Sequence, residues 1–150
     1  MNPYEMQRRM AKACAIADKA EELGYSPDEL AVEHPKVRES LPKMCGVRPA
    51  SKETWMMAVD LLAKRKKYTG SGGLDDPKFI QRLGAMAVRI TETLDRNNLD
   101  SDDAENLTKR EKRLVAKLSK ADADDTTFDL GQKFLEMRET HRFSKTESNS

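Results

Sequence analysis

Apolar residues recur along this chain at three- and four-residue steps and never settle into a two-residue alternation. Met6, Met10, Ala13, Ala17 and Ala20, with Ile16 and Leu23 beside them, form the first such stripe. Residues at these steps share one helix face, so the spacing predicts an amphipathic helix from Pro3 to about Leu23. Pro3 suits its first turn and Gly24 its C-terminal cap. Its small side chains would let a second helix approach closely. Ser26-Pro27-Asp28-Glu29 reads as a capping box with proline at the first helical position, opening a short helix that stops before Pro35. Pro35 and Pro42 then bracket Lys36 to Leu41, and Gly46 follows Cys45. This is a compact run of short turns and helices.

Ser51 caps the next predicted helix, Lys52 to about Tyr68, with Trp55, Val59 and Leu62 inward and Met56 and Ala58 at the edge. Lys64, Arg65, Lys66 and Lys67 finish it, where cations complement the helix dipole. Asp76-Pro77 starts another helix. Phe79, Ile80, Leu83, Met86, Ala87, Ile90 and Leu94 give it the cleanest period in the chain, and Gly84 marks a close helix contact within it. Residues 97–106 are polar and acidic and read as a loop. Thr108 with Glu111 makes a second capping box. The helix it opens carries Leu114, Val115 and Leu118 on one side; Lys109, Arg110, Lys112, Arg113, Lys117 and Lys120 cover much of the rest. Asp122, Asp124 and Asp125 break the pattern. A last helix follows from about Thr127 to Arg142 on a Leu130, Phe134 and Met137 stripe.

These elements predict an all-α protein, a compact bundle of about five to seven helices. Its expected organisation is two helical subdomains, 1–68 and 77–143, joined by a flexible hinge at 69–76 and followed by a disordered tail at 144–150. The hinge rests on Thr69-Gly70-Ser71-Gly72-Gly73, the most flexible composition in the chain. The tail rests on its Ser, Lys, Thr, Glu and Asn content.

Composition supports helices over sheets. Aromatics are only 5% of the 150 residues, and Val and Ile do not cluster. Charged residues make up 35%, as expected of helices with a broad wet face. A formal net charge of +1 selects no partner by itself, so any electrostatic signal has to come from local segregation of charge. Cys14 and Cys45 fall in predicted helices and read as free thiols, since a disulfide framework needs more cysteines. The polar segment Met1 to Lys12 has no apolar core of a secretory signal, and no stretch is long enough to span a membrane. The expected compartment is the cytoplasm, with no membrane partner.

Candidate chemistry is sparse. Cys14, Cys45, His34 and His141 share no metal-ligand spacing. The glycine-rich stretch at 70–73 lacks the strand and the Gly-Lys-Ser/Thr that a phosphate loop requires, and it is no nucleophile elbow. No carboxylate pair stands out. No metal, cofactor or catalytic group is expected, and the chain reads as a non-enzymatic binding protein.

Two basic segments carry the functional expectation. Val37 to Lys67 could form a helix-turn-helix, with Gly46-Val47 as the turn and the Lys64–Lys67 run against phosphates. Arg48-Pro49-Ala50 lengthens that turn, and Pro42 should bend the first helix. The second segment is the helix Lys109 to Lys120, whose opening, Leu107-Thr108-Lys109-Arg110-Glu111, is similar to bacterial response-regulator DNA-binding domains. The similarity ends there, because the chain turns acidic after Ser119. Lys64, Arg65, Lys66, Lys67, Lys109, Arg110, Arg113 and Lys117 are the expected nucleic-acid-binding residues. The expected role is a regulator or small subunit of a nucleoprotein complex of a bacterium, plasmid or phage, acting on DNA or RNA. The alternative is an adaptor, assembly factor or inhibitor that masks another protein. Met56, Met57 and Met86 could line a groove for a partner helix, though core packing is their more ordinary use.

Overall fold

The structure is a computed structural model that describes residues 2–68, 75–122 and 124–148, with side chains to residue 143. The described residues form eight α-helices and no strand: α1 (Pro3–Glu22), α2 (Pro27–Ala31), α3 (Pro35–Met44), α4 (Lys52–Lys67), α5 (Pro77–Arg96), α6 (Ser101–Glu105), α7 (Lys109–Ser119) and α8 (Asp125–Ser148). No helix among them is long and apolar enough to cross a membrane. The chain packs as two compact units. One is Arg9–Arg82; the other is Met1–Arg8 with Leu83–Ser150. Their boundaries therefore fall inside α1 and inside α5. The glycine-rich segment expected to act as a hinge lies, at residues 69–74, outside the described residues.

The helix starts follow from local chemistry. Ser26 Oγ accepts from Glu29 N, and the Glu29 carboxylate accepts from Ser26 N, each at 3.1 Å. Thr108 and Glu111 repeat the arrangement at the start of α7. Asp76 Oδ1 accepts from Lys78 N at 2.9 Å across Pro77. Gly24 takes φ +83° after α1, a conformation open to glycine at little cost.

The 9–82 unit closes on Trp55. Its core is Ala13, Ile16 and Ala20 of α1, Leu30 of α2, Leu41 of α3, and Trp55, Ala58, Val59 and Leu62 of α4. The indole Nε1–H donates to the Leu30 carbonyl at 2.8 Å, and the Arg38 guanidinium lies 4.8 Å from the ring centroid. The small alanines of α1 are buried, as their spacing implies, whereas Leu23 lies outside the core and exposed. Pro42 is accommodated inside α3, where it is buried.

The 83–150 unit is organised around α5, which is buried on nearly every side from Leu83 to Leu94. Ile90 and Leu94 pack with Ala104, Val115, Ala116, Phe128 and Leu135. A close helix approach is seen at Gly131 of α8. A Cβ there would stand 3.0 Å from Ile90 Cγ2 and 3.3 Å from the Ala87 carbonyl oxygen. The Thr91 hydroxyl sits in the same seam, 2.7 Å from the Gly131 carbonyl oxygen. Gly131→Ala should therefore lower stability despite alanine's better helix propensity. That propensity is worth about 1 kcal/mol, against about 1–3 kcal/mol for overpacking a tight core. A net loss of about 1 kcal/mol in urea unfolding is expected, and an unchanged or raised midpoint would show that the seam opens freely.

The structure departs from several expectations of the sequence. Residues 97–106 are not simply a loop: Asp100 caps α6, accepting from Asp103 N at 2.7 Å, and Ala104 is buried. The α6 sequence has no apolar stripe to betray it. On α7 the inward residues are Val115, Ala116 and Ser119, while Leu114 and Leu118 face solvent at 58% and 64% exposure. On α8 the inward line is Thr127/Phe128, Gly131, Leu135 and Arg138; Met137 is exposed, and Leu130 and Phe134 are half-buried. On α5, Phe79 and Ile80 are exposed. The helical backbone of α8 continues to Ser148, past the expected end near Arg142.

Candidate functional site

The two basic segments belong to different units. In the 9–82 unit, Lys64, Lys66 and Lys67 are exposed at the end of α4. Arg65 turns inward, with its side chain only 4% exposed. Its Nε donates to Gln81 Oε1 at 2.6 Å, and Nη1 lies 2.8 Å from Asp18 and 3.2 Å from Glu21. Glu21 also accepts from Lys78 Nζ at 2.8 Å. Burial raises the Glu21 pKa, but the hydrogen bonds and charges of Lys78 and Arg65 outweigh it, and the carboxyl titrates below its ordinary range. Arg65 thus ties α4 to α1 and to the first turns of α5.

The geometry of a helix-turn-helix is only partly present. α3 and α4 are joined by residues 45–51, and Gly46 takes φ +72°. The outward face of α4 carries Glu53 and Asp60 as well as Lys52 and Lys64. Those acids would stand against phosphates if α4 entered a groove.

The α7 face is different. Thr108 and Glu111 fix its first turn. Its last turn is held from α5: Arg89 donates from Nε to the Ser119 carbonyl at 3.0 Å and from Nη2 to the Lys120 carbonyl at 2.9 Å. Thr93 and Ser119 share a 2.6 Å hydroxyl contact beneath it. Lys120 closes the helix in the left-handed conformation, φ +54°. Rotation about the helix is set by these contacts together with buried Val115 and Ala116. Lys109, Arg110, Arg113 and Lys117 are consequently exposed, and none of the ion pairs among the described residues engages them. Lys112 is the exception on this helix. It lies half-buried, 5.8 Å from the Phe128 ring centroid.

One charged centre leaves no local signal in the sequence. Arg138 of α8 is 2% exposed. It donates from Nε to Gln7 Oε1 at 2.7 Å, from Nη1 to Asp95 at 3.0 Å and from Nη2 to Glu92 at 3.2 Å. The Tyr4 ring lies 4.6 Å away. Arg142 shares Asp95, and Arg8 lies 3.8 Å from Glu92. A basic residue in a charged helix gives no local signal of burial, and Gln7 sits one place beside the apolar stripe of α1. The centre anchors α1 residues 4–8 to α5 and α8.

Several of the polar groups that line the concave surfaces carry structural tasks. The hollow beside α6 is lined by Asp95, Asp100 and Glu139 among others. Glu139 accepts from both the amide and the hydroxyl of Ser101, Asp100 caps α6, and Asp95 serves Arg138 and Arg142. A broader groove of about 690 Å³ is lined by Pro3, Met6, Met137 and His141 with Lys133, Glu136 and Thr140. Among the described residues no three His, Cys, Asp or Glu side chains are placed to hold a metal ion. Cys14 is buried and Cys45 half-buried, both free. Burial pushes the Cys14 thiol up to about 11, despite the nearby Arg65 charge, so its thiolate is scarce at neutral pH. Met57 packs against the Trp55 core while Met56 is exposed, and Met86 belongs to the other unit. No family model matches this chain, and no curated protein or solved structure is significantly similar to it.

Proposed function

We propose that this protein is a non-enzymatic binding protein and that the outward face of α7 seats an anionic macromolecule. The supporting observation is that Lys109, Arg110, Arg113 and Lys117 are exposed together on one held helix, with none of the described ion pairs neutralising them. Two partner classes suit such a face. Nucleic acid would be bound through phosphates, by a regulator or a nucleoprotein subunit, with Lys64, Lys66 and Lys67 as a further cationic group on the other unit. An acidic protein surface would be bound by an adaptor, assembly factor or inhibitor. The cations alone suit the first class; the exposed Leu114 and Leu118 favour the second.

The test is a quadruple Lys109, Arg110, Arg113 and Lys117 to Ala variant. It should keep its helical circular dichroism, because these side chains lie outside the core. It should lose salt-sensitive binding to polyanions. If the polyanion is nucleic acid, the slope of log affinity against log salt should fall by about 0.7–0.9 for each phosphate contact removed. Equal binding by both proteins to duplex DNA, RNA and polyglutamate, or by neither, would overturn the assignment of this face.

A further inference from the structure

We infer that the α7 face is built for an acidic amphipathic helix of a partner protein, with Leu114 and Leu118 as the apolar seat and Arg110, Arg113 and Lys117 as the charged rail beside it. The inference rests on the reading of α7 as a binding face and names its occupant.

At 3.6 residues per turn, Arg110, Arg113 and Lys117 fall on one stripe of α7. Leu114 and Leu118, four apart, form a second stripe immediately beside it. Val115, Ala116 and Ser119 occupy the opposite, buried side. The two leucines are thus neighbours, each more than half exposed, and the helix is prevented from rolling them inward by Arg89, Thr93 and the Lys112–Phe128 contact. Water-exposed leucine pairs are unfavourable surface that a binding event can remove.

The chemistry of the two stripes selects the occupant. A phosphate backbone would satisfy the cations but would set polar, hydrated oxygens against the leucines and gain nothing from them. An anionic membrane would take both kinds of side chain. A stripe of two leucines on a three-turn helix, held side-on by its neighbours, offers little to insert among acyl chains. A helix carrying Leu, Ile or Met at three- and four-residue steps, with Asp or Glu along one flank, meets both stripes at once. Its apolar anchors cover Leu114 and Leu118, and its carboxylates meet Arg110, Arg113 and Lys117. Such helix-on-helix recognition reads anchor spacing and charge together.

The test uses the full chain and four probes. The first is a synthetic helical peptide of about three turns, with leucines at four-residue spacing and glutamates along one flank. The second has the same composition in scrambled order. The third is a mixed-sequence DNA duplex, and the fourth is phosphatidylserine vesicles. The amphipathic peptide should bind at least about tenfold more tightly than the scrambled one, the change expected from covering one or two leucines. The Leu114→Ala/Leu118→Ala variant, checked for native circular dichroism, should lose that preference while keeping the salt-dependent part of the affinity. Equal binding of the two peptides overturns the inference. So does DNA or vesicle binding that exceeds peptide binding and ignores the leucine substitutions, although the α7 face itself would then survive as the binding surface. No salt-sensitive binding of any probe, or binding that the quadruple charge variant retains, overturns both.

Discussion

Trp55→Ala is expected to be the most damaging single substitution in the 9–82 unit, lowering unfolding stability by about 4 kcal/mol. Trp55 is fully buried and contacts two earlier helices: Leu30 of α2 through the indole N–H, and Arg38 of α3 over the ring face. Removing it leaves a cavity among Ile16, Leu30, Leu41 and Leu62 that their own rotamers cannot fill. It also takes away the donor to the Leu30 carbonyl at the end of α2. Urea unfolding followed by far-ultraviolet circular dichroism gives the value, since the variant lacks the chain's one tryptophan. Trp55→Phe separates the two terms. It keeps most of the volume and loses the hydrogen bond, so a loss of about 1–2 kcal/mol is expected. If Trp55→Ala costs less than about 1 kcal/mol, Trp55 is not the centre of this core.

Arg138→Leu is expected to be the counterpart in the 83–150 unit, at about 3 kcal/mol. The substitution preserves bulk and helix propensity, so packing is not the main loss. It strips Glu92 of its nearest cation, Asp95 of one of its two cations and Gln7 of its donor. Removing one member of a buried ion cluster costs about 3–5 kcal/mol because the remaining charges are left uncompensated. The two carboxylates here are 33% and 21% exposed, so water relieves part of that and the lower end applies. Arg142→Ala is the control. Its side chain is 49% exposed, and although it shares Asp95 it should cost less than about 1 kcal/mol. Thermal unfolding of the two variants should therefore diverge clearly. Equal, small shifts would mean that Arg138 only decorates the packing of α1, α5 and α8. Exchange of the Tyr4 to Arg8 amides should also rise in Arg138→Leu, because those residues lose their anchor.

The two substitutions mark how far local reasoning reaches. Trp55, Val59 and Leu62 were legible as an inward stripe from their spacing, and the structure buries all three. Arg138 was not legible. It lies among Glu136, Glu139 and Arg142, which read as a wet face. Its burial depends on a glutamine 131 residues earlier and on two acids of α5. Arg65 shows the same thing within a predicted basic run: four consecutive cations cannot all face one way on a helix, and the one that points inward meets Asp18 and Glu21. Leu114 and Leu118 show the reverse, since periodicity placed them with Val115 on an apolar side. Only the contacts of Arg89, Thr93 and Phe128 set the rotation that leaves them outside.

What the sequence by itself determined is local. Helix rather than strand, and the starts at Ser26, Ser51, Asp76 and Thr108, follow from propensity, periodicity and capping groups. All of these act within about four residues. What the tertiary structure decided is which face of each helix meets another. That choice minimises the cost of the whole set of buried polar and apolar groups at once. A polar residue is therefore buried wherever distant partners complete it, as at Gln7, Thr91 and Arg138, and a leucine is left in water wherever the better-anchored neighbours have already fixed the helix.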